Sequence, residues 1–218
     1  MDSAANTPYV KPLLRGVSHE IAAAFALAGW VVLVRAAPGP RAVLAAAVYG
    51  LALTAQFGIS ALYHRPRWGT RGRLLMRRLD HAAIFVLIAG TYTPFCLLLP
   101  VGPGRWLLAA VWAGAFAGMV LSVAWPMAPK WLMALLTVLL GWAVVPTLPS
   151  LYSAIGVRGL VLLGAGGLAY TVGAVVYATR FPDPSPRVFG YHEVFHVLVI
   201  AAAICHYVAV AGLIGAIR

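Results

Sequence analysis

The sequence predicts an all-α membrane protein, one bundle of seven transmembrane helices with the N-terminus in the cytoplasm and the C-terminus outside. Three observations predict it. Of the 218 residues, 62% are hydrophobic and only 10% are charged, where a soluble domain carries roughly 25% charged residues. The mean hydropathy is +0.91. The apolar residues fall in seven long blocks, each near the roughly 20 residues that cross a bilayer as a helix. These runs are continuous and lack the alternation of a barrel strand. Residues 1–16 read as a cytoplasmic N-terminal segment and residues 17–218 as the transmembrane domain.

The blocks follow in order. The first, 17–36, comes after a polar opening and imitates a signal peptide, but Arg35 stands where a small cleavage-site residue is needed, so the span is expected to be retained. The second covers 41–63 and follows Pro38, Gly39 and Pro40; the third covers 79–100 and follows Arg65 and Pro66. Within the third, Thr91, Tyr92, Thr93 and Pro94 predict a kink whose freed backbone groups are met by threonine hydroxyls. The fourth, 106–125, comes after Gly102, Pro103 and Gly104; the fifth, 131–149, after Pro126 and Pro129. The sixth covers 159–178, and the seventh, 190–217, follows Pro182, Pro184 and Pro186. Trp106, Trp125 and Trp131 sit at block ends, as interfacial anchors do. Scattered Gly and Ala are close-packing positions between membrane helices.

The formal charge is +11. In a soluble chain this would suggest nucleic acid; between apolar blocks it sets topology and meets anionic headgroups. Eleven of the 16 Lys and Arg residues fall in alternate polar segments that share a side with the N-terminus, and five fall on the other side. The positive-inside bias therefore places the N-terminus in the cytoplasm, and most of the difference comes from the segment holding Arg65, Arg67, Arg71, Arg73, Arg77 and Arg78. Cys96 and Cys205 lie inside apolar runs and are expected to be free buried thiols.

That topology brings polar residues together. Residues 190–196 read GYHEVFH, and His192 and His196, four apart, share a helix face where both imidazoles can reach one ion. His64 ends block two and Asp80 begins block three, both at the membrane depth of this pair, with Ser60 one turn deeper than His64. Three His around a metal, with a fourth position for water, is a catalytic zinc pattern. Asp80 is placed to accept from that water or act as general base, and Ser60 to orient Asp80 or a ligand. Bland readings stand beside this one. An interfacial His is often a polar tip at headgroup level, and His-x-x-x-His pairs occur on helices by chance. Asp80 also reads as a carboxylate at a helix N-terminus, paired with Arg77 or Arg78. His81 and Glu193 point about 100° away from their neighbours; His81 reads as a neighbour or substrate contact, Glu193 as serving the helix start or reaching water. His19 and Glu20 either line the site or form a solvated helix start. His206 reads as a hydrogen-bonded core histidine. No nucleophile elbow, phosphate-binding lysine loop or dinucleotide fingerprint is present in the sequence.

Ser60-x-x-x-His64, Leu79-Asp80-His81 leading into residues 89–94, and His192-x-x-x-His196 together resemble the hemolysin III branch of the progestin and adipoQ receptor family, and the opening at Arg15, Gly16, Val17, Ser18 and His19 resembles bacterial members. The likeness extends from Lys11 to the end of the chain. It implies a seven-helix fold with zinc near the cytoplasmic face, His64, His192 and His196 as ligands, Asp80 at the water and Ser60 behind it. It also implies kinship with membrane hydrolases that include alkaline ceramidases, and a link to membrane homeostasis. A more acidic opening is common in the family; here only Glu20 is present. The expectation is a zinc-dependent hydrolase of the inner membrane acting on a lipid amide or ester, its acyl chain between helices. The rival is a non-enzymatic sensor or receptor-like homeostasis protein with structural zinc. A haemolysin-type pore has little support, because no ring of like charges recurs among the blocks.

Overall fold

The computed structural model describes residues 11–98 and 104–216. The first ten residues of the predicted N-terminal segment, the end of the third block at Pro100, the joint at Gly102 and Pro103, and Ile217 and Arg218 lie outside the described residues. Seven spans there are long and apolar enough to cross a membrane. They are α1 (Val17–Ala36), α2 (Gly39–His64), α3 (Thr70–Leu98), α4 (Gly104–Ala124), α5 (Lys130–Gly141) with a 3₁₀ extension over Trp142–Thr147, α6 (Leu148–Thr179) and α7 (Tyr191–Ala216). Helices α1 to α4 pack in sequence, α5 to α7 likewise, and α1 against α7 joins the two rows. Helix α5 also touches α3 and α4, which closes the ring. The outer surface is apolar: Phe25, Phe116, Val161 and Leu168 are exposed. Trp106, Trp125 and Trp131 are exposed at helix ends, as an aromatic belt requires.

Close packing depends on small residues at particular crossings. A Cβ on Gly90 would lie 2.5 Å from that of Ala52, and one on Gly118 would lie 2.3 Å from the Phe85 ring. Two interior clusters result, one around Tyr49, Leu53, Val210 and Ile214, the other around Phe85, Ala89, Val111 and Ala115.

Three expectations are corrected. Helix α3 begins at Thr70, not at 79, so Arg71, Arg73, Arg77 and Arg78 lie on its first turns and not in a loop. Arginine stems cover apolar surface while their heads reach water, so a charged stretch continues the helix beyond its apolar part. Pro94 lies inside α3, but the threonine hydroxyls do not meet the carbonyl it frees. Thr91 donates to Leu87 O (2.8 Å) and Thr93 to Ala89 O (2.9 Å), in each case four residues back. Cys96 and Cys205 are free, as expected, but half-buried and not buried. In addition, α6 starts at Leu148 and is interrupted by Gly156, whose φ of 65° and ψ of −175° break the helix. Where α5 passes into its 3₁₀ extension, the Tyr92 hydroxyl lies 3.2 Å from Leu140 O and 2.7 Å from Gly141 O, and donates to carbonyls there.

Gly90→Ala is expected to cost about 1–3 kcal/mol, because the added methyl meets another Cβ and no flexible tip. Gly58→Ala, where nothing lies within 4 Å, should instead stabilise by about 0.5–1 kcal/mol, because alanine has less backbone freedom to lose in a helix. Thermal unfolding of the two variants in detergent compares them directly.

Candidate metal centre

One end of the bundle gathers the start of α1, the end of α2, the start of α5 and the start of α7. The first turn of α7 is tied down twice. Gly190 N–H donates to Glu193 Oε2 (2.8 Å), and Tyr191 N–H donates to Asp183 Oδ1 (2.8 Å). The first of these is the reach-back half of a capping box. Glu193 therefore serves the helix start, and it also forms a part-buried ion pair with Arg15. Residues ahead of α1 cross over this end: Leu13 and Leu14 N–H donate to Arg187 O (3.0 Å) and Val188 O (3.2 Å). The crossing runs against α2 at Gly16, whose φ is +82° and whose Cβ would lie 2.7 Å from His64 Cβ. Glycine is needed there both for its backbone angle and for the close approach.

The fixed register brings His64, His192 and His196 together. Their available ligand atoms all lie within 4.8 Å of one another, and Nε2 of His192 is 3.1 Å from Nε2 of His64. All three rings are at most 9% exposed. A tetrahedral zinc with bonds of about 2.0–2.1 Å spaces its nitrogen ligands by about 3.3 Å, so the closest pair fits such an ion. The donor set fits as well: buried neutral imidazoles are good ligands for zinc and other late first-row metals. His196 Nδ1 has no hydrogen-bond partner. These three buried His residues can hold a metal ion.

Asp80 is buried (8%) and lines the same cavity as the three imidazoles. Ser60, at 1% exposure, lines the same cavity. Asp80 Oδ1 has no partner. The alternative reading of Asp80 is not supported. It lies ten residues into α3 and not at the helix start, and the ion pairs among the described residues are Arg15–Glu193 and Arg65–Glu20, neither of which involves Asp80. Glu20 is solvated and bonds Arg65 across 2.8 Å. His81 is half-buried on the cavity wall outside the His group. His206 is hydrogen-bonded as expected, with Nε2 3.2 Å from Leu163 O, but it is half-buried on the cavity lining and not in the core.

Of the two readings of His19, the one that lines the site holds, and the solvated helix start does not. His19 is 1% exposed and stacks on His196, with ring centroids 3.7 Å apart and planes within 5°. Its edge also faces Phe57. The sequence held a signal for this. His19, Ala22, Ala26 and Leu33, the buried residues of α1, recur at helical spacing and mark the face turned inward.

The cavity has a volume of about 980 Å³. Inward of the His end the lining is mostly apolar, with Leu87, Phe95, Leu148, Leu160 and Val199 set among Thr91, Thr171 and His206.

Residues 8–207 match the haemolysin-III-related family. The chain is 30% identical over 202 residues to Hemolysin-3 of Bacillus cereus, an alignment covering 90% of this chain and 89% of that protein. It is 34% identical over 189 residues to heptahelical transmembrane protein ADIPOR2 of Oryza sativa subsp. japonica, covering 78% and 80%. Against the monocyte to macrophage differentiation factor of Homo sapiens it is 25% identical over 174 residues, covering 75% and 67%.

Purified protein is expected to carry about one metal ion per chain by elemental analysis, and the His64→Ala/His192→Ala/His196→Ala variant none; full retention in that variant rejects the ligand set. Separately, Glu193→Ala should destabilise by about 3–5 kcal/mol, since it leaves Arg15 unpaired at 12% side-chain exposure. Glu193→Gln keeps an acceptor for Gly190 N–H and should cost about 1 kcal/mol less. Equal unfolding temperatures for the two variants would remove the capping role.

Proposed function

The chain belongs to the haemolysin-III-related family, and we propose that it is a zinc-dependent hydrolase of a lipid amide or ester in the cell (inner) membrane. The observation that carries this reading is the placing of three buried imidazoles and a buried carboxylate on one cavity whose depth is apolar. His64, His192 and His196 would hold the ion. Zinc bound there supplies Lewis acidity toward a carbonyl oxygen and toward water.

The remaining chemistry falls to the chain's own groups. Asp80, with an unpartnered Oδ1, accepts a proton from the attacking water. It returns that proton to the leaving amine or alcohol as the acyl C–N or C–O bond breaks. Ser60, on the same cavity wall, orients the carboxylate. The apolar walls at Leu87, Phe95 and Leu160 hold the acyl chain, which passes from one hydrocarbon medium, the bilayer, to another. The concentration of cations at the His end supports a cytoplasmic site, because short cytoplasmic segments carry the excess of Lys and Arg.

The test is hydrolysis by purified protein of a fluorescent-chain ceramide and of a matching ester lipid. Turnover should stop on chelation and return with zinc. Asp80→Asn should lower kcat by about 10²–10⁴-fold while keeping its metal. A protein that loses thermal stability on chelation and turns over neither lipid is the non-enzymatic sensor instead.

A further inference from the structure

The mouth of the cavity is cationic to a degree that the reaction above does not require. Lys11, Arg15, Arg67, Arg73, Arg77 and Lys130 line it. Among the described residues only Arg15 of these six has a carboxylate partner, Glu193. Lys11 donates to Arg65 O (2.8 Å) and Arg77 to Met127 Sδ (3.2 Å). Lys130 is held in place by two tyrosines. Its Nζ donates to the Tyr191 hydroxyl (2.7 Å) and lies 4.5 Å from the ring centre of Tyr177 and 4.6 Å from that of Tyr191. The cations also act on one another. Burial, and then the neighbouring Arg65, Arg15, Arg67 and Arg73, push the Lys11 ammonium below its ordinary range.

Basic residues beside a membrane ordinarily meet the headgroups of the surrounding leaflet. That account suits Arg71 and Arg187, which are exposed and do not line the cavity. It does not explain why a separate set converges on the opening of an apolar chamber. The register on α3 adds to this. Arg73, Arg77, Asp80, Ile84 and Leu87 follow one another down the cavity wall, and the Arg77 backbone sits three residues, about 4.5 Å, above that of Asp80. That rise is comparable to the glycerol unit that separates a phosphate from the first acyl carbonyl in a phospholipid. A headgroup at Arg77 and Lys130 leaves an acyl linkage level with Asp80 and the imidazoles, and the chain among the apolar residues below.

We propose that the cavity selects a lipid whose headgroup is an anionic phosphate, held at the mouth by Arg73, Arg77 and Lys130. Guanidinium groups suit this ligand, because their paired N–H donors match phosphate oxygens. The inference rests on the proposed hydrolysis only for what then happens to the bound lipid; the selection itself is a binding property.

The experiment uses the full chain in a neutral maltoside detergent. Two probes share one fluorescent acyl chain, a phosphatidic acid and the corresponding diacylglycerol. Wild type should bind the phosphatidic acid at least about tenfold more tightly, the scale of charge-assisted hydrogen bonds. Arg73→Gln/Arg77→Gln/Lys130→Gln should bind both probes alike, its retained diacylglycerol binding showing that it is folded. Arg71→Gln/Arg187→Gln should keep the preference, as should Arg77→Lys in weakened form. Equal binding of the two probes by wild type overturns the proposal, as does equal loss in the Arg71/Arg187 control. Displacement of the phosphatidic acid by millimolar inorganic phosphate also overturns it, by making the mouth a free-phosphate site. Both readouts are independent of turnover. Absent hydrolysis with an intact headgroup preference defeats only the hydrolase reading, while hydrolysis of a neutral lipid with no preference defeats only this one.

Discussion

Holding three imidazoles together, out of water, at the ends of two helices is the constraint on which the rest of this structure depends. A buried ring nitrogen without a partner loses its hydration and gains nothing in return. Two such nitrogens 3.1 Å apart, His64 Nε2 and His192 Nε2, satisfy each other only if one carries the shared proton. A cation answers all the inward lone pairs at once, and so the cluster asks for a metal more than for a core. The neighbourhood is arranged to keep the rings where they are. His19 covers one face of His196, the residues before α1 cover the end of α2 through Gly16, and Glu193 fixes the α7 start while neutralising Arg15. Each of these contacts links the segment before α1, or α1 itself, to the other two helices of the site.

Seen from the cavity, the same end serves two purposes. Cations form its rim, imidazoles and a carboxylate its upper wall, and aliphatic and aromatic side chains its depth. An amphiphile has the same order of chemistry along its length. A soluble polar substrate would leave the lower part of the chamber unfilled. A purely apolar one would leave the buried Asp80 carboxylate without a partner, a costly arrangement in a region of low dielectric.

Much of this was legible in the chain. Seven apolar blocks, the four-residue spacing of His192 and His196, and the common depth of His64 and Asp80 follow from helical geometry and membrane thickness alone. What was not legible depended on tertiary contacts. Reading α3 as starting at 79 treated a row of arginines as loop, because hydropathy cannot distinguish a charged loop from a helix that projects beyond the apolar layer. His19 and Glu20 read alike, as lining the site or as a solvated helix start; the two point to different sides, and only the stripe through Ala22 and Ala26 separates them. The partners of Glu193 and Lys130 lie 178 and 61 residues away, distances at which spacing carries no information.

The corrected start of α3 changes the chemistry available to Asp80. At a helix N-terminus, its charge would be stabilised by the backbone dipole and by the first-turn N–H groups. Ten residues in, those backbone donors are used within the helix, and the polar neighbour on the same cavity wall is Ser60. A carboxylate buried this way keeps one oxygen free and balances its charge against whatever occupies the His cluster. The projecting turns of α3 that remove Asp80 from the helix end are also the turns that carry Arg73 and Arg77 to the cavity mouth. One extension of one helix therefore sets both the reactivity expected of the carboxylate and the charge at the entrance above it.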